Sequence, residues 1–122
     1  MLDNKKYRDA LITRTYNFSL AVIKFVREAP PRDFAAQVIA KQLIRSATSI
    51  GANIMEAQAS PTRKDFSNFM NHALKSANES RYWLGLLRDT STGENLKIVY
   101  LLTEAQEFSK MLGSTVISLK QK

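Results

Sequence analysis

The chain has 122 residues, with 18 Lys and Arg against 11 Asp and Glu, a single His and no Cys. A chain of that length is read as one domain spanning residues 1–122. Without Cys it has no disulfide framework, no thiolate metal site and no Cys nucleophile, and with one His it has no site that needs two.

Four Gly and three Pro argue against a turn-rich β fold. The opening run MLDNKKYRD and the lack of an apolar stretch near about 18 residues predict neither a secretory leader nor a membrane span. A cytoplasmic protein is therefore expected. The net charge of +7 places polyanions first among partners. That charge is spread over every quarter of the chain, so any binding surface must be assembled by folding or by oligomerisation.

The first helix is predicted from about Tyr7 to Glu28. Leu11, Phe18 and Phe25 recur every seven residues, flanked by Ala21, Val22 and Val26. Pro30-Pro31 stops it, because proline lacks a donor and disfavours helix in the residue before it. Asp33 is placed to cap the second helix, which runs to about Ala57 with Val38, Ile39, Leu43, Ala47, Ile50 and Ile54 on one stripe. Gly51 inside that helix either costs about 1 kcal/mol relative to Ala or marks a close helix crossing.

Ser60-Pro61 reads as the start of the third helix, with Ser as N-cap and Pro in the first turn. Phe66, Met70, Ala73, Ala77, Ser80, Leu84 and Leu87 alternate along it at spacings of four and three. The run Asp89-Thr90-Ser91-Thr92-Gly93 breaks it, and Ser91 with Glu94 reads as a capping box. The fourth helix carries Val99, Leu102, Ala105, Leu112, Val116 and Leu119. Four helices of similar length with short links predict an all-α, antiparallel up-down-up-down four-helix bundle. Phe69, Trp83 and Leu86, with Ile98 and Leu101, spill beyond one stripe per helix. That wider band is either a second buried surface in a homo-oligomer or simply a broad core.

A bundle of this kind raises the question of a di-iron centre, which needs Glu-x-x-His on two helices. Only His72 is present, and Phe69 stands three residues before it. A helical ribonuclease with four to six residues between Arg and His is excluded as well, since Asp65, Phe66 and Ser67 are not arginines. There is no glycine-rich phosphate loop and no nucleophile elbow. His72 is expected on a helix surface, and no enzyme activity, metal or cofactor is expected.

Polar residues near the apolar stripes form a second pattern. Arg45, Ser49, Asn53 and Glu56 follow spacings of four, four and three, with Ser46 beside them. Ser76, Asn78 and Glu79 lie along the third helix. They are read as an interhelical network that fixes register, with Arg45–Glu79 as one possible pair, or else as a ligand site. The cations sit elsewhere. Lys6, Lys24 and Arg27 fall opposite the first apolar stripe, and Lys64, Lys75 and Tyr82 opposite the third. Lysines and arginines so placed can meet phosphates, and Tyr82 can stack on a base. Arg81 and Arg88 sit at the edge of the third stripe and Arg14 at the edge of the first, positions that mark helix–helix or subunit contacts.

The stretch Leu43-Ile44-Arg45-Ser46-Ala47-x-Ser49-Ile50-x-x-Asn53-Ile54-x-Glu56 resembles the central motif of the bacterial 23S rRNA intervening-sequence proteins. The later stretch Ala73-Leu74-Lys75-Ser76-Ala77-Asn78-Glu79-Ser80-x-Tyr82-Trp83-Leu84 resembles that family's second motif. The likeness covers nearly the whole chain, in order. One departure is Ala57, where the family usually has Gly. The resemblance implies a four-helix bundle without enzymatic activity that assembles into a ring, typically a homopentamer. Relatives include accessory proteins of diversity-generating retroelements, basic barrels that bind nucleic acid and a reverse transcriptase. Five copies would carry +35 from the +7 of each chain.

The expectation is thus a basic, RNA-binding or DNA-binding homo-oligomer with no membrane association. Its candidate phosphate contacts are Lys6, Lys24, Arg27, Lys64 and Lys75, with Tyr82 as a stacking residue. The alternative is a protein-binding adapter or scaffold with no nucleic-acid role, whose partner is a reverse transcriptase or another protein.

Overall fold

A computed structural model describes residues 4–91 and 95–121. Four helices follow one another: α1 Asn4–Glu28, α2 Phe34–Gln58, α3 Arg63–Thr90 and α4 Leu96–Lys120. They form the antiparallel four-helix bundle that the periodicity and the short links predict. α1 packs on α2 and α4, and α3 packs on the same two, so α1 and α3 lie diagonally opposite. The α2–α3 seam is the most extensive and the α1–α4 seam the least. Small residues explain the first. Ala73, Ser76, Ala77 and Ser80 on α3 face Ser46 and Ala47 on α2, all buried, and let the two backbones approach.

The helix starts are set by single side chains. Asp33 Oδ1 accepts from the Ala36 N–H at 2.8 Å, as expected for the cap of α2. The cap of α3 is Thr62 and not Ser60, so Pro61 lies outside the helix. The reason is reciprocal bonding. Thr62 Oγ1 accepts from the Asp65 N–H at 3.1 Å and donates to Asp65 Oδ2 at 2.9 Å, which Ser60 is too early to do. The expected Ser91–Glu94 box is also displaced. Ser91 ends α3, and Asn95 caps α4 by accepting from Lys97 and Ile98 N–H groups. Thr92, Gly93 and Glu94 lie outside the described residues. At the other end Arg63 Nη2 donates to the Leu119 carbonyl at 3.2 Å, placing a cation on the negative terminus of α4.

The core runs the length of the bundle, from Leu11, Phe18, Val22 and Phe25 on α1 to the inner faces of the other three helices. Phe18 and Phe108 meet edge to face, their ring centroids 5.4 Å apart. Two expected core positions are exposed: Val38 at 41% and Val99 at 39%. On α2 the stripe passes through Ala40 instead, two residues round the helix from Val38. On α4 it is rotated toward Ile98, Leu101 and Phe108. Ile98 and Leu101 therefore fill this chain's own core and are not a second buried surface. Phe69 and Trp83 are half-buried and pack against the same core, which makes that part of the band a broad stripe.

Gly51 marks a close crossing. A Cβ there would stand 3.0 Å from Thr15 Oγ1, and Thr15 is fully buried on α1. Its hydroxyl donates to its own helix, within 3.0 Å of the Leu11 and Ile12 carbonyls. The Thr15 side chain thus occupies the space that a residue larger than Gly would need at position 51.

Candidate functional site

The polar row on α2 does not form one network with α3. Ser49 Oγ donates to the Arg45 carbonyl at 2.7 Å, and Asn53 Nδ2 donates to the Ser49 carbonyl at 2.8 Å. These bonds stay within α2, the usual alternative open to Ser and Asn on a helix. Arg45 and Glu79 meet at 4.0 Å with both side chains largely in solvent, a weak pair. Glu56 is exposed and has no ion-pair partner among the described residues. The buried link is one position away from the row: Ser46 Oγ and Ser80 Oγ are 2.9 Å apart, and Ser80 also donates to the Ser76 carbonyl. Ser76 thus takes part only through its carbonyl, which orients Ser80 from within α3.

The strongest polar contact joins α1 to α4. Arg14 donates from Nε and Nη2 to the two carboxylate oxygens of Glu104, at 3.0 and 2.6 Å. Its guanidinium also lies 5.4 Å from the Phe108 ring centroid. The bond to Glu104 raises the Arg14 pKa above its ordinary value, against the opposing pull of partial burial. Arg14 is therefore the helix–helix contact that its place at the stripe edge predicts.

The candidate phosphate-contact residues divide into two groups. Lys6, Lys24 and Arg27 are exposed on α1, and Lys64, Lys75 and Tyr82 are exposed on α3. Because α1 and α3 are diagonal, these outer faces point away from each other. A strand of nucleic acid meets both groups of one chain only if it wraps around the bundle. None of the five cations is in an ion pair among the described residues, whereas Lys5, Lys97 and Lys110 each have a carboxylate within 4.0 Å. Tyr82 packs edge to face on Trp83, with centroids 5.1 Å apart, and remains 62% exposed. His72 is exposed, and Phe69 is its aromatic neighbour. No group of three or more possible metal ligands occurs among the described residues. No helix among them is long and apolar enough to cross a membrane.

Two kinds of concavity escape the sequence reading. The larger, about 830 Å³, opens where α1 and α4 diverge, floored by Leu11, Ile54 and Met70 with Arg8 and Lys110 at its rim. Two smaller ones of about 380 and 350 Å³ follow each other along the α3–α4 seam and share Asn78, Arg81 and Gln106. The spacing of Arg81 and Arg88 marks that edge of α3. The α4 residues opposite them follow only from the register in which Ser109 Oγ donates to Asn78 Oδ1 at 2.8 Å.

The same architecture occurs in a crystal structure of a protein of unknown function from the S23 ribosomal protein family of Bacteroides thetaiotaomicron. It is 33% identical to this chain, with a TM-score of 0.78 over 89% of this chain and 96% of that one. No curated protein matches the chain. The family model described as 23S rRNA-intervening sequence protein matches residues 10–114, all but the two ends of the bundle. With the motifs on α2 and α3 inside that match, and the four-helix architecture shared with the Bacteroides protein, the chain belongs to the 23S rRNA-intervening sequence protein family.

Proposed function

We propose that this protein is a non-catalytic, cytoplasmic homo-oligomer, a pentamer by analogy with its family, that binds structured RNA or DNA through the phosphates. The observation that carries this reading is the set of exposed cations with no carboxylate within ion-pair distance among the described residues: Lys6, Lys24 and Arg27 on one face, Lys64 and Lys75 on the other. On the second face they stand beside the exposed ring of Tyr82. A strong uncompensated charge raises local polyanion concentration, and its effect multiplies in a closed particle. Two opposed basic faces suit an assembly better than a monomer, because neighbouring copies can then present several patches to one folded nucleic acid.

The test is fluorescence anisotropy with structured RNA, duplex DNA and heparin, each titrated from low to physiological salt, with light scattering for particle mass. Binding to nucleic acid above heparin with a steep salt slope is the expected result. No binding at low salt refutes it. The adapter reading has its own support at one end of the bundle, where Phe34 is 79% exposed at the start of α2 and Leu96 is 74% exposed at the start of α4. A protein partner held there, a reverse transcriptase or another, would stay bound at high salt, since apolar burial is not screened.

A further inference from the structure

We propose that the groove between α3 and α4 is a track for a single nucleic-acid strand, with Arg81, Lys110 and Asn78 on the phosphates and Tyr82 under a base. The proposal rests on the nucleic-acid reading above, keeps Tyr82 and moves the phosphate contacts to Asn78, Arg81 and Lys110, which belong to neither outward-facing group.

Three observations converge on this groove. First, the described residues lining its two concavities include Arg81, Arg88 and Lys110 and not one carboxylate. Asp89 and Glu107 reach Arg88 and Lys110 from outside the lining, at 2.8 and 3.6 Å, while Arg81 has no ion-pair partner among the described residues. Second, the donors are aimed by a fixed floor. Asn78 uses its carbonyl oxygen to accept from Ser109, which leaves its NH₂ group available to an anion. Third, Gly85 lies in the lining, and a Cβ built there meets nothing within 4 Å. Unlike Gly51, this glycine makes no close crossing possible, yet it costs its helix about 1 kcal/mol relative to Ala. An open floor that lets a ligand backbone approach α3 accounts for it.

Geometry selects one strand over two. Packed helices lie about 8–10 Å apart, so their shared outer groove admits one sugar–phosphate backbone and not the width of a duplex. From Asn78 to Arg88 the groove runs about 15 Å at 1.5 Å per residue, enough for a few nucleotides. Tyr82, edge-on to Trp83 and open to solvent, offers its face to an unstacked base.

The test uses the full chain, with anisotropy of an oligouridylate, an oligothymidylate and a duplex of equal length, and polyphosphate as competitor. Arg81→Gln with Lys110→Gln lowers the salt slope for a single strand by about 1.4, at roughly 0.7 per phosphate contact. Tyr82→Ala weakens binding by about tenfold. Gly85→Leu, which fills the groove without touching charge, weakens binding while leaving thermal unfolding no worse. Arg32→Gln with Lys41→Gln, exposed cations outside the groove and outside both basic groups, leaves the single-strand slope unchanged. Binding of either oligonucleotide with these dependences supports the track, and the RNA-to-DNA ratio tells which sugar it prefers. Wild-type binding that none of the groove variants alters overturns the track and leaves the broader nucleic-acid reading standing. Preference for duplex, or equal competition by polyphosphate, also overturns it. Absence of any binding at low salt removes both.

Discussion

Gly51→Ala measures how tightly α1 and α2 cross. In a solvent-facing helix interior the change would stabilise by about 1 kcal/mol, from propensity alone. Here the new methyl stands 3.0 Å from Thr15 Oγ1 and 3.4 Å from Thr15 Cβ. Thr15 is β-branched, fully buried and hydrogen-bonded to two carbonyls of its own helix, so it cannot rotate away cheaply. Relieving such a contact requires the helices to separate, at an overpacking cost of about 1–3 kcal/mol. The net expectation is a loss of about 1 kcal/mol, or roughly 3–6 °C in Tm for a chain of this size. Gly85→Ala is the internal control. Its Cβ meets nothing within 4 Å, so it should gain about 1 kcal/mol. Thermal and urea unfolding, followed by circular dichroism at one fixed protein concentration, read both variants. Thr15→Ala removes the clashing oxygen, so Gly51→Ala should turn neutral or stabilising in that background, a coupling of about 1 kcal/mol or more. If Gly51→Ala stabilises as much as Gly85→Ala, or its cost persists without the Thr15 hydroxyl, the close-crossing argument fails.

Other contacts make smaller, separate predictions. Glu104→Ala frees the bidentate partner of Arg14. Because the Arg14 side chain is 42% exposed it rehydrates, and the expected cost is about 1 kcal/mol. A double-mutant cycle with Arg14→Ala that returns no coupling would refute the clamp. Glu28 accepts from Lys97 Nζ at 2.9 Å, and that bond, aided by the lysine charge, holds its pKa below the ordinary 4.5. A depressed folded-state pKa means that the contact contributes above 4.5 and is lost as pH falls through the lowered value. NMR titration should show the Glu28 midpoint rising toward 4.5 in Lys97→Ala, and an unmoved midpoint would count against the pair. Asp89 is held low in the same sense by Arg88 and should respond likewise to Arg88→Ala.

Local chemistry made much of this molecule legible. Pro30-Pro31 ends a helix wherever it stands, because neither residue donates a hydrogen bond. Asp33 caps because a short carboxylate reaches the N–H groups just ahead of it. The spacings of three and four on α2 and α3 placed Leu43, Ala47, Ile50, Met70, Ala73, Ala77 and Leu84 in the core correctly, since helix geometry alone puts them on one face. The motifs on those two helices carried the family for the same reason: they are contiguous in sequence. The harder features depend on how one helix is turned against another. α4 is apolar around much of its circumference, so periodicity could not choose between Val99 and the Ile98–Leu101–Phe108 side. The packing of Phe18 against Phe108 chose it. The same holds for Gly51, whose meaning depends on Thr15 across the seam, and for the α3–α4 groove, whose basic lining exists only in the register that joins Asn78 to Ser109. Sequence determined which residues share a face of each helix. Only the tertiary structure decided which faces meet, because rotation and register are set by side-chain fit between segments far apart in the chain.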